Sequence, residues 1–540
     1  MKYKFKPLHV VICTSLFIVL FNNYSFFKEV LKIYPFSLEN SLFLLSLIIV
    51  LFLAITLILI LFATRYTLKP ILVFFLIISS VLNYFMVTYH IVIDSEMIRN
   101  AMQTDYNETF DLLSVEFFLY LFFLGILPSI FVIKAQIEYK PFVSNLLSKL
   151  KYTAFIVGIV LLIVFSLSKF YTSFFREHKP LRYYTNPTYF LYSFGKYISK
   201  SYEVAPRFHE VGKDAKTVHV EADEKKELII LVVGEAARAD RFSLNGYDKK
   251  TNPLLEKEEL ISFSNMYSCG TSTAYSVPCM FSLYDKEHYS YKKGISTSNI
   301  LDVLKETGDI SILWRDNNSD SKGVALRVEY EDFKTSKNNS KCDDIECRDE
   351  GMLVGLDKYI KNHKNKDILI VLHQMGNHGP AYYKRYPKEF EKFKPTCKTN
   401  QLEKCSMEEI SNAYDNAILY TDYFLSNVIK FLKPYSKDYE TAMLYMSDHG
   451  ESLGENSVYL HGMPYLIAPE NQKHIASFIW LGEGEMRKEY DEAILKQNRQ
   501  NLYSQDNLFH TLLGLFEVST DVYEKRLDIL SNARINEEKE

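Results

Sequence analysis

The 540-residue sequence has almost no net charge, and its cysteines lack the spacing of a zinc-binding motif. It contains 62 lysines and arginines against 66 aspartates and glutamates, which gives a net charge of -4. A domain that binds nucleic acid usually carries a basic excess, so no nucleic acid is expected among the partners. The seven cysteines form no C-x2-C or clustered Cys/His pattern, so they do not predict a zinc site.

Two further absences concern the N-terminal region. The first apolar run, at residues 8–22, is followed by no small-x-small cleavage site, so we expect an uncleaved anchor and not a signal peptide. No isolated charged residue lies deep inside an apolar run, which argues against an ion path and therefore against a transporter component.

Long apolar runs dominate the first 170 residues. The five runs lie near residues 8–22, 41–63, 70–90, 116–135 and 152–170. Each is about long enough to cross a bilayer, the first only marginally. Lysines and arginines precede the first run and lie between the second and third and between the fourth and fifth, which predicts that these segments are cytoplasmic. Five spans then place the polar C-terminal part outside the cytoplasm.

Six of the cysteines fall as close pairs in that polar part. The pairs are Cys269 with Cys279, Cys342 with Cys347, and Cys397 with Cys405. Many connectivities are open to six cysteines, and pairing of nearest neighbours is only one of them. Disulfides require an oxidising compartment, which independently predicts that this part lies outside the cytoplasm.

The remaining segments complete the expected domain organisation. Residues 171–205 interleave aromatic residues with lysine and arginine, which is typical of a segment in the membrane interface, and the chain up to Lys226 reads as a polar linker. We therefore expect a transmembrane domain over 1–170, an interfacial segment and linker over 171–226, and a soluble domain over 227–540.

An outer loop between the third and fourth runs carries three polar residues spaced four apart. Asn100, Thr104 and Glu108 would share one face of a helix. An ordinary solvated loop helix explains the same spacing.

Short apolar runs alternate with helical patterns after residue 226. The expected strands are 227–233, 310–314, 367–373, 442–447 and 476–481, and the expected helices include 407–432 and 505–516. This alternation predicts an α/β domain with a largely parallel sheet, whose chemistry collects at the carboxyl ends of the strands.

Residues 268–280, SCGTSTAYSVPCM, contain three candidate hydroxyl nucleophiles. Thr271, Ser272 and Thr273 precede an apolar, helix-like run with Pro278 in its first turns. The N-terminus of a helix favours an anion, so a phosphate could be held there while a hydroxyl attacks it. A hydroxyl that only caps the helix is the alternative.

Acidic and imidazole side chains follow the expected strands. Glu235 follows one strand, His373 and His378 close another, and Asp448 with His449 closes a third. One nitrogen and three oxygens would come from Glu235, Asp448, His449 and Thr273, and this set suits zinc. A bound zinc ion would lower the pKa of the Thr273 hydroxyl. This set would make the hydroxyl an effective nucleophile.

Six motifs together resemble the lipid A phosphoethanolamine transferases, a group that includes the mobile colistin-resistance enzymes. The motifs are VVGEAARADRFSLNGY, CGTSTAYSVPCMFS, WRDNNSDSKG, HQMGNHGPAYYKRYP, SDHGESLGE and LHGMPY. The resemblance covers essentially the whole chain. It implies an α-helical five-span membrane domain followed by an α/β domain of the alkaline phosphatase and sulfatase superfamily.

The resemblance also implies roles for individual residues. It assigns Zn2+ to Glu235, Thr273, Asp448 and His449, and it selects Thr273 as the nucleophile. Positions that match substrate contacts of the family are Asn100, Thr104, Glu108, Ser319, Lys322, His378 and His461. Of these, Lys322, His378 and His461 would also act in catalysis, by holding the phosphate or by protonating the leaving group. The paired cysteines resemble disulfides of the family.

The activity implied is transfer of phosphoethanolamine from phosphatidylethanolamine to a phosphate of lipid A, in lipopolysaccharide. A covalent intermediate on Thr273 would form as diacylglycerol leaves. The reaction would take place in the periplasm at the bacterial inner membrane. Cells with the modified lipid A would resist polymyxin. Alternatives are a metal-dependent phosphodiesterase or sulfatase that uses water, or transfer to a core sugar or a protein. A non-enzymatic membrane anchor would need no zinc.

Overall fold

Long apolar helices build the first of the two units into which the chain divides. This unit comprises residues 1–98 and 113–202, and the second comprises 99–112 and 203–540. The computed structural model describes residues 4–104, 112–139, 141–202, 207–218 and 225–535. Glu108 lies outside the described residues, so the predicted helix face can be followed only through Thr104.

The first four predicted apolar runs coincide with helices before residue 203, and further helices lie between and after the runs. They are α1 (Pro7–Phe21), α2 (Tyr24–Ile33), α3 (Leu38–Leu61), α4 (Leu68–Thr88), α5 (Ser95–Gln103), α6 (Val115–Tyr120), α7 (Leu127–Lys134), α8 (Phe142–Ser166), α9 (Ser168–Arg176) and α10 (Thr188–Tyr202). A π-helical segment, Leu121–Ile126, joins α6 to α7. Within the described residues, four helical stretches are long and apolar enough to span a membrane, and five if the α1–α2 pair, bent by 55°, is one span.

The last membrane helix begins earlier than the sequence predicted. The apolar run suggested a span at 152–170 with Lys149 and Lys151 in the preceding loop, whereas α8 already includes both lysines. The Lys149 Nζ atom donates to the carbonyl of Leu61, the last residue of α3, at 3.0 Å. A cation at this position satisfies a helix C-terminal carbonyl, so the helix continues through its basic residues.

The segment predicted to lie in the membrane interface contains three helical stretches up to Tyr202, and part of it packs inward. Tyr171 and Phe174 of α9 are buried, and both rings meet Phe43 of α3 edge-on. The Tyr171 hydroxyl also lies 2.9 Å from the Ser46 hydroxyl. These two aromatic side chains therefore belong to the core of the first unit.

A seven-stranded sheet lies at the centre of the second unit. The strands of the unit are β1 (Lys216–Thr217), β2 (Lys226–Gly234), β3 (Leu260–Ser262), β4 (Met266–Tyr267), β5 (Ile310–Asp316), β6 (Glu329–Asp332), β7 (Asp367–His373), β8 (Tyr439–Ser447), β9 (Ser452–Leu453), β10 (Tyr459–Leu460), β11 (His474–Ile475), β12 (Ser477–Leu481), β13 (Tyr503–Ser504) and β14 (Val518–Ser519). The sheet order is β3-β12-β8-β2-β7-β5-β6, with β12 antiparallel to its neighbours and the other pairs parallel.

The helices of this unit flank the sheet strands in sequence. They are α11 (Thr273–Met280), α12 (Tyr291–Ile295), α13 (Ile300–Glu306), α14 (Leu356–Asn362), α15 (Met407–Leu432), α16 (Glu485–Lys488), α17 (Glu492–Asn498) and α18 (Asn507–Leu515). The predicted helix 407–432 is confirmed, and its start is fixed by a capping box between Ser406 and Glu409. All five predicted strands are present, while the short strands β3 and β6 were not predicted.

Two acidic side chains meet at the end of the sheet where β2 and β7 begin. Glu227 and Asp367 precede the paired residues Leu228 and Ile368, and their side chains are 4% and 0% exposed. The backbone N–H of Glu227 donates to Asp367 Oδ1 at 3.2 Å. Burial, reinforced by the neighbouring Asp367, raises the pKa of the Glu227 carboxyl well above its ordinary value.

This acid pair predicts that the protein loses stability as the pH rises. The folded state retains a proton on Glu227 that the unfolded state releases. The contribution of this proton to the free energy of unfolding is therefore complete below the ordinary glutamate pKa and declines as the pH rises above it. The loss is at most about 1.4 kcal/mol per pH unit. Glu227→Gln should flatten the decline in melting temperature of the full-length protein between about pH 5 and pH 9. The control is Glu306→Gln, an exposed change that should leave the decline intact. An unchanged slope in Glu227→Gln would contradict the assignment.

Candidate functional site

The parallel register of β2 and β8 brings three of the predicted site residues together. Gly234 at the end of β2 pairs with Ser447 at the end of β8, so Glu235 and Asp448 leave the sheet side by side, followed by His449. All three side chains are fully buried. The backbone N–H of Asp448 donates to the carbonyl of Gly234 at 2.9 Å, which extends the pairing beyond the last strand residues.

Thr273 is the hydroxyl of the 271–273 cluster that faces this group. It is the first residue of α11, and its Oγ1 atom lies 3.1 Å from Glu235 Oε2 and 3.3 Å from His449 Nε2. The Thr271 hydroxyl instead donates to the carbonyl of Met463 at 2.6 Å. Ser272, not Thr273, occupies the N-cap position of the helix, so the alternative that Thr273 only caps the helix is wrong.

Several distances among the four donor side chains match those between the ligands of a tetrahedral metal site. Besides the two contacts of Thr273, His449 Nε2 lies 3.4 Å from Glu235 Oε1 and 3.3 Å from Asp448 Oδ2. Four ligands at about 2.0–2.1 Å from Zn2+ would be roughly 3.3 Å from one another. Among the described residues, Asp448 Oδ2 has no hydrogen-bond partner although it is buried, which is costly unless a cation binds it. The residues present therefore fit zinc.

Hydrogen bonds behind the donors fix their orientation. His449 Nδ1 lies 2.8 Å from the carbonyl of Gly450, which only accepts, so Nδ1 carries the hydrogen and Nε2 presents its lone pair. Asp448 Oδ1 accepts from the backbone N–H groups of Ala236 and His449 at 3.1 and 2.7 Å, which leaves Oδ2 for the site. Burial lowers the pKa of the His449 imidazole and favours its neutral form.

Asn318 is a site residue that received no role from the sequence. Its amide nitrogen donates to Glu235 Oε2 and to the carbonyl of Gln374, both at 2.9 Å. Its amide oxygen accepts from the backbone N–H and the hydroxyl of Ser319, at 2.6 and 2.9 Å. Asn318 thereby holds Glu235 on one side and Ser319 on the other. The sequence feature that could have identified Asn318 is its position two residues beyond β5, in the DNNSDSK run that also contains Ser319 and Lys322.

Asp349 joins two loops that flank Glu235. The carboxylate is 4% exposed and accepts from the backbone N–H groups of Met375 and Gly376 at 2.8 and 3.1 Å, and from the Asn317 amide at 2.8 Å. Gly376 has a φ of +51°, and a Cβ there would approach the Glu235 carbonyl to 3.0 Å. No sequence pattern marks Asp349, because its partners are distant in the chain.

Lys322 and Ser319 lie together beside the 99–104 segment of the second unit. The Lys322 side chain is buried, and its Nζ atom donates to the carbonyls of Ser319 and Gln103 at 3.0 and 3.1 Å. The Thr104 hydroxyl donates to the carbonyl of Asn100 at 2.8 Å. Lys322 thus contacts Gln103, the last residue of α5 and the residue before Thr104.

His378 and His461 approach each other next to the donor set. Their ring centroids are 5.6 Å apart, and the His461 ring lies 4.2 Å from that of His449. His461 Nδ1 contacts Oε2 of the buried Glu451 at 2.9 Å, and Tyr382 donates its hydroxyl to the other oxygen of Glu451 at 2.8 Å. Burial, followed by the nearby His461, lowers the pKa of His378. Glu451 had no predicted role, although it lies in the SDHGES motif.

The remaining strand-end histidine is part of the core. His373 Nδ1 contacts Asp316 Oδ2 at 2.9 Å, and both side chains are fully buried. The Trp314 indole N–H donates to the same carboxylate oxygen at 2.9 Å. These contacts hold the ends of β5 and β7 together, so His373 differs from the strand-end residues that face the donor set.

All three nearest-neighbour disulfides are present, which confirms the pairing of Cys269 with Cys279, Cys342 with Cys347 and Cys397 with Cys405. The first encloses Thr273. The backbone N–H of Cys269 donates to the Gln505 amide oxygen at 2.7 Å, and the Gln505 amide nitrogen donates to the carbonyls of Ser447 and Asp448 at 2.8 and 2.7 Å. Gln505 therefore links the nucleophile turn to the end of β8.

Comparison with known families and proteins agrees with both halves of the architecture. Residues 227–518 match the family described as Sulfatase, and residues 51–202 match the family described as Phosphoethanolamine transferase EptA/EptB. The chain is 43% identical to phosphatidylethanolamine transferase Mcr-1 of Escherichia coli over 531 residues, which covers 96% of each protein. It is 40% identical to phosphoethanolamine transferase EptA of Escherichia coli strain K12, over 95% of this chain and 94% of that protein.

A solved structure with both parts of the architecture is also similar. The integral membrane protein lipooligosaccharide phosphoethanolamine transferase A from Neisseria meningitidis superposes with a TM-score of 0.94 at 34% identity. The match covers 99% of this chain and 100% of that one. This similarity supports the expected combination of a helical membrane domain with a periplasmic sulfatase-like domain.

The donor geometry predicts that the protein purifies with zinc and that Asp448 is required to hold it. Asp448→Asn keeps the size of the side chain but removes the charge, so bound zinc measured by mass spectrometry should fall at least about tenfold. Asp415→Asn, which alters another fully buried carboxylate that pairs with Lys249, should retain zinc. Equal zinc content in both variants would contradict the ligand set, and melting curves would show whether each variant is folded.

Proposed function

Because the chain belongs to the phosphoethanolamine transferase family, we propose that it transfers phosphoethanolamine from phosphatidylethanolamine to a phosphate of lipid A. The observation that carries the proposal is the Thr273 hydroxyl at the start of α11, 3.1 Å from Glu235 Oε2 and 3.3 Å from His449 Nε2. The Neisseria meningitidis relative is named as acting on lipooligosaccharide, which supports a lipid-linked acceptor.

Thr273 is the proposed nucleophile. Zn2+ held by Glu235, Thr273, Asp448 and His449 would lower the pKa of the Thr273 hydroxyl and polarise a phosphoryl oxygen of the donor. The hydroxyl proton leaves along the contact from Thr273 Oγ1 to Glu235 Oε2. The N-terminal end of α11 adds backbone N–H groups, which favour the anionic phosphate in front of Thr273.

In the first step, Thr273 Oγ1 forms a bond to the phosphorus of phosphatidylethanolamine, and the bond from phosphorus to the glycerol oxygen breaks. Diacylglycerol leaves once its oxygen has received a proton. Lys322, buried and held by two carbonyls, adds positive charge for the phosphoryl oxygens. The product is a phosphoethanolamine ester of Thr273, which divides one transfer into two displacements.

His461 is the histidine best arranged to protonate the leaving glycerol oxygen. Glu451 contacts its Nδ1 at 2.9 Å, which orients the ring and stabilises its charged form, so that Nε2 can carry the proton to be delivered. Burial lowers the pKa of His378, so its imidazole is neutral. A neutral imidazole suits the role of holding the phosphate. Both assignments follow from the environment of each ring.

In the second step, a phosphate oxygen of lipid A attacks the phosphorus and the bond to Thr273 Oγ1 breaks. The acceptor oxygen loses its proton to His461, and Thr273 regains the proton held at Glu235, so no water is consumed. The modified phosphate carries an ethanolammonium group. The lower negative charge at the cell surface should weaken the binding of cationic polymyxins.

The proposed location is the bacterial inner membrane with the catalytic domain in the periplasm. Residues 1–170 would span the membrane, 171–226 would form the interfacial segment and linker, and 227–540 would carry out catalysis. The three disulfides agree with an oxidising compartment. Asn100, Thr104 and Glu108, together with Ser319, are proposed to contact the substrate.

The double displacement predicts a phosphoethanolamine adduct on Thr273. After incubation with donor lipid and no acceptor, mass spectrometry of the Thr273 peptide should show the added mass, and addition of lipid A should remove it. Thr273→Ala should abolish the adduct and reduce transfer by about 10³-fold or more. Ser272→Ala is the matched control, because the Ser272 side chain does not cap α11, and it should form the adduct.

An adduct that disappears equally fast without lipid A would favour the hydrolytic alternative. Transfer at wild-type rate by Thr273→Ala would contradict the nucleophile assignment.

The Glu451–His461 contact predicts a defect that depends on the leaving group. Glu451→Gln should lower kcat with phosphatidylethanolamine by about 10–100-fold, because the glycerol oxygen needs a proton. The loss of kcat should be smaller with p-nitrophenyl phosphoethanolamine, because its leaving group departs without a proton. The control is Glu455→Gln, which alters a carboxylate paired with Arg238 and should affect both donors equally. A Glu451→Gln defect of the same size with both donors would contradict the proton-delivery role.

A further inference from the structure

A groove in the first unit, far in sequence from the catalytic motifs, has a volume of about 610 Å3. This size falls within the range of about 300–1,000 Å3 typical of ligand sites. Its lining residues come from the N-terminal segment, α1, α4, the π-helical segment and α7. They are Phe5, His9, Val10, Cys13, Thr14, Phe17, Leu76, Phe123, Leu127, Pro128, Phe131, Val132, Lys134 and Ala135.

Both α1 and α7 pack against α4, and the groove lies between them. Gly125 in the π-helical segment brings that helix close to α4, since a Cβ there would lie 2.6 Å from the Ser80 hydroxyl. Phe123 of the π-helical segment and Phe131 of α7 both line the groove. Such π-helical turns occur frequently at functional sites.

One end of the groove is polar and the other is apolar. His9 in the first turn of α1 and Lys134 at the end of α7 mark the polar end, whereas Phe17 and Leu76 line the deeper part. The backbone of Phe5 closes the polar end through hydrogen bonds with Gln136 at 2.8 Å and Glu138 at 3.0 Å. By the distribution of lysines, this end lies at the cytoplasmic surface.

The charge of the lining selects among membrane lipids. Lys134 is exposed at the polar end, and among the described residues no aspartate or glutamate lines the groove. A lysine at the cytoplasmic end of a groove between helices matches an anionic headgroup above an acyl chain. Lys134 is the lysine that lines the groove. A second lysine at this end, Lys69, does not line it, and its Nζ atom donates to the carbonyl of Ile133 at 2.7 Å.

We propose that this groove binds an anionic phospholipid of the cytoplasmic leaflet, with its phosphate at Lys134 and His9 and one acyl chain along Phe17 and Phe123. This lipid is distinct from the donor, which must reach the site on the other side of the membrane. The site is independent of the proposed reaction, and the bound lipid would fill the space between α1 and α7.

Native mass spectrometry of the full-length protein tests the proposal with two probes, phosphatidylglycerol and phosphatidylcholine, carrying identical oleoyl chains. Wild-type protein should bind phosphatidylglycerol at least about fivefold more tightly, the contribution of one lysine near the headgroup. Lys134→Gln should lose this preference. Lys151→Gln is the charge-matched control, because Lys151 is exposed on α8 and does not line the groove, and it should retain the preference.

A second variant tests the path of the acyl chain. Cys13→Phe fills the groove beside the first two turns of α1 and should weaken binding of both lipids by a similar factor. Melting curves of each variant without added lipid should confirm that the helices remain folded. Equal affinity of wild-type protein for the two lipids would overturn the proposal. So would loss of the preference in Lys151→Gln, or lipid binding unaffected by Cys13→Phe.

Discussion

The parallel register between β2 and β8 is the constraint on which the catalytic centre depends. Pairing of Gly234 with Ser447 places Glu235 and Asp448 at adjacent strand ends. Both strands are buried along nearly their whole length, so a shift in register would move apolar side chains out of their packing positions. Two buried carboxylates side by side repel each other and favour a cation. The site is therefore a consequence of sheet packing, and Thr273 is added to it from outside the sheet by the start of α11.

Much of the fold could be predicted because its long elements have a single strong pattern. Continuous apolar runs defined β2, β7 and β8, and the span at Leu38–Leu61 was recognisable from length alone. The errors lie where polar residues participate in regular structure. Helix α8 includes Lys149 because a tertiary contact with the carbonyl of Leu61 satisfies the lysine, and such a partner cannot be read from local composition.

The candidate site also contains residues that the sequence could predict and residues that it could not. Glu235, Asp448 and His449 could be proposed because motif and strand end coincide in the sequence, and Thr273 because the family resemblance of its motif selects it. Asn318 and Asp349 could not, because their importance comes from hydrogen bonds to residues that only the fold brings near. The Asn318 amide nitrogen donates to Glu235 and to the carbonyl of Gln374, and the Asp349 carboxylate accepts from the backbone of the 375–376 turn. The residues that hold the reactive groups are thus less visible in sequence than the reactive groups themselves.

The disulfide arrangement has a consequence for how the protein is made. Each cysteine of the second unit pairs with its nearest neighbour in the chain, over separations of 10, 5 and 8 residues. During export, the two members of each pair emerge almost together, before the next pair is available. Oxidation in order of emergence therefore gives the native connectivity directly. Biogenesis of this domain therefore calls for a thiol oxidant, and the order of the pairs lowers the need for an isomerase to correct misplaced bonds.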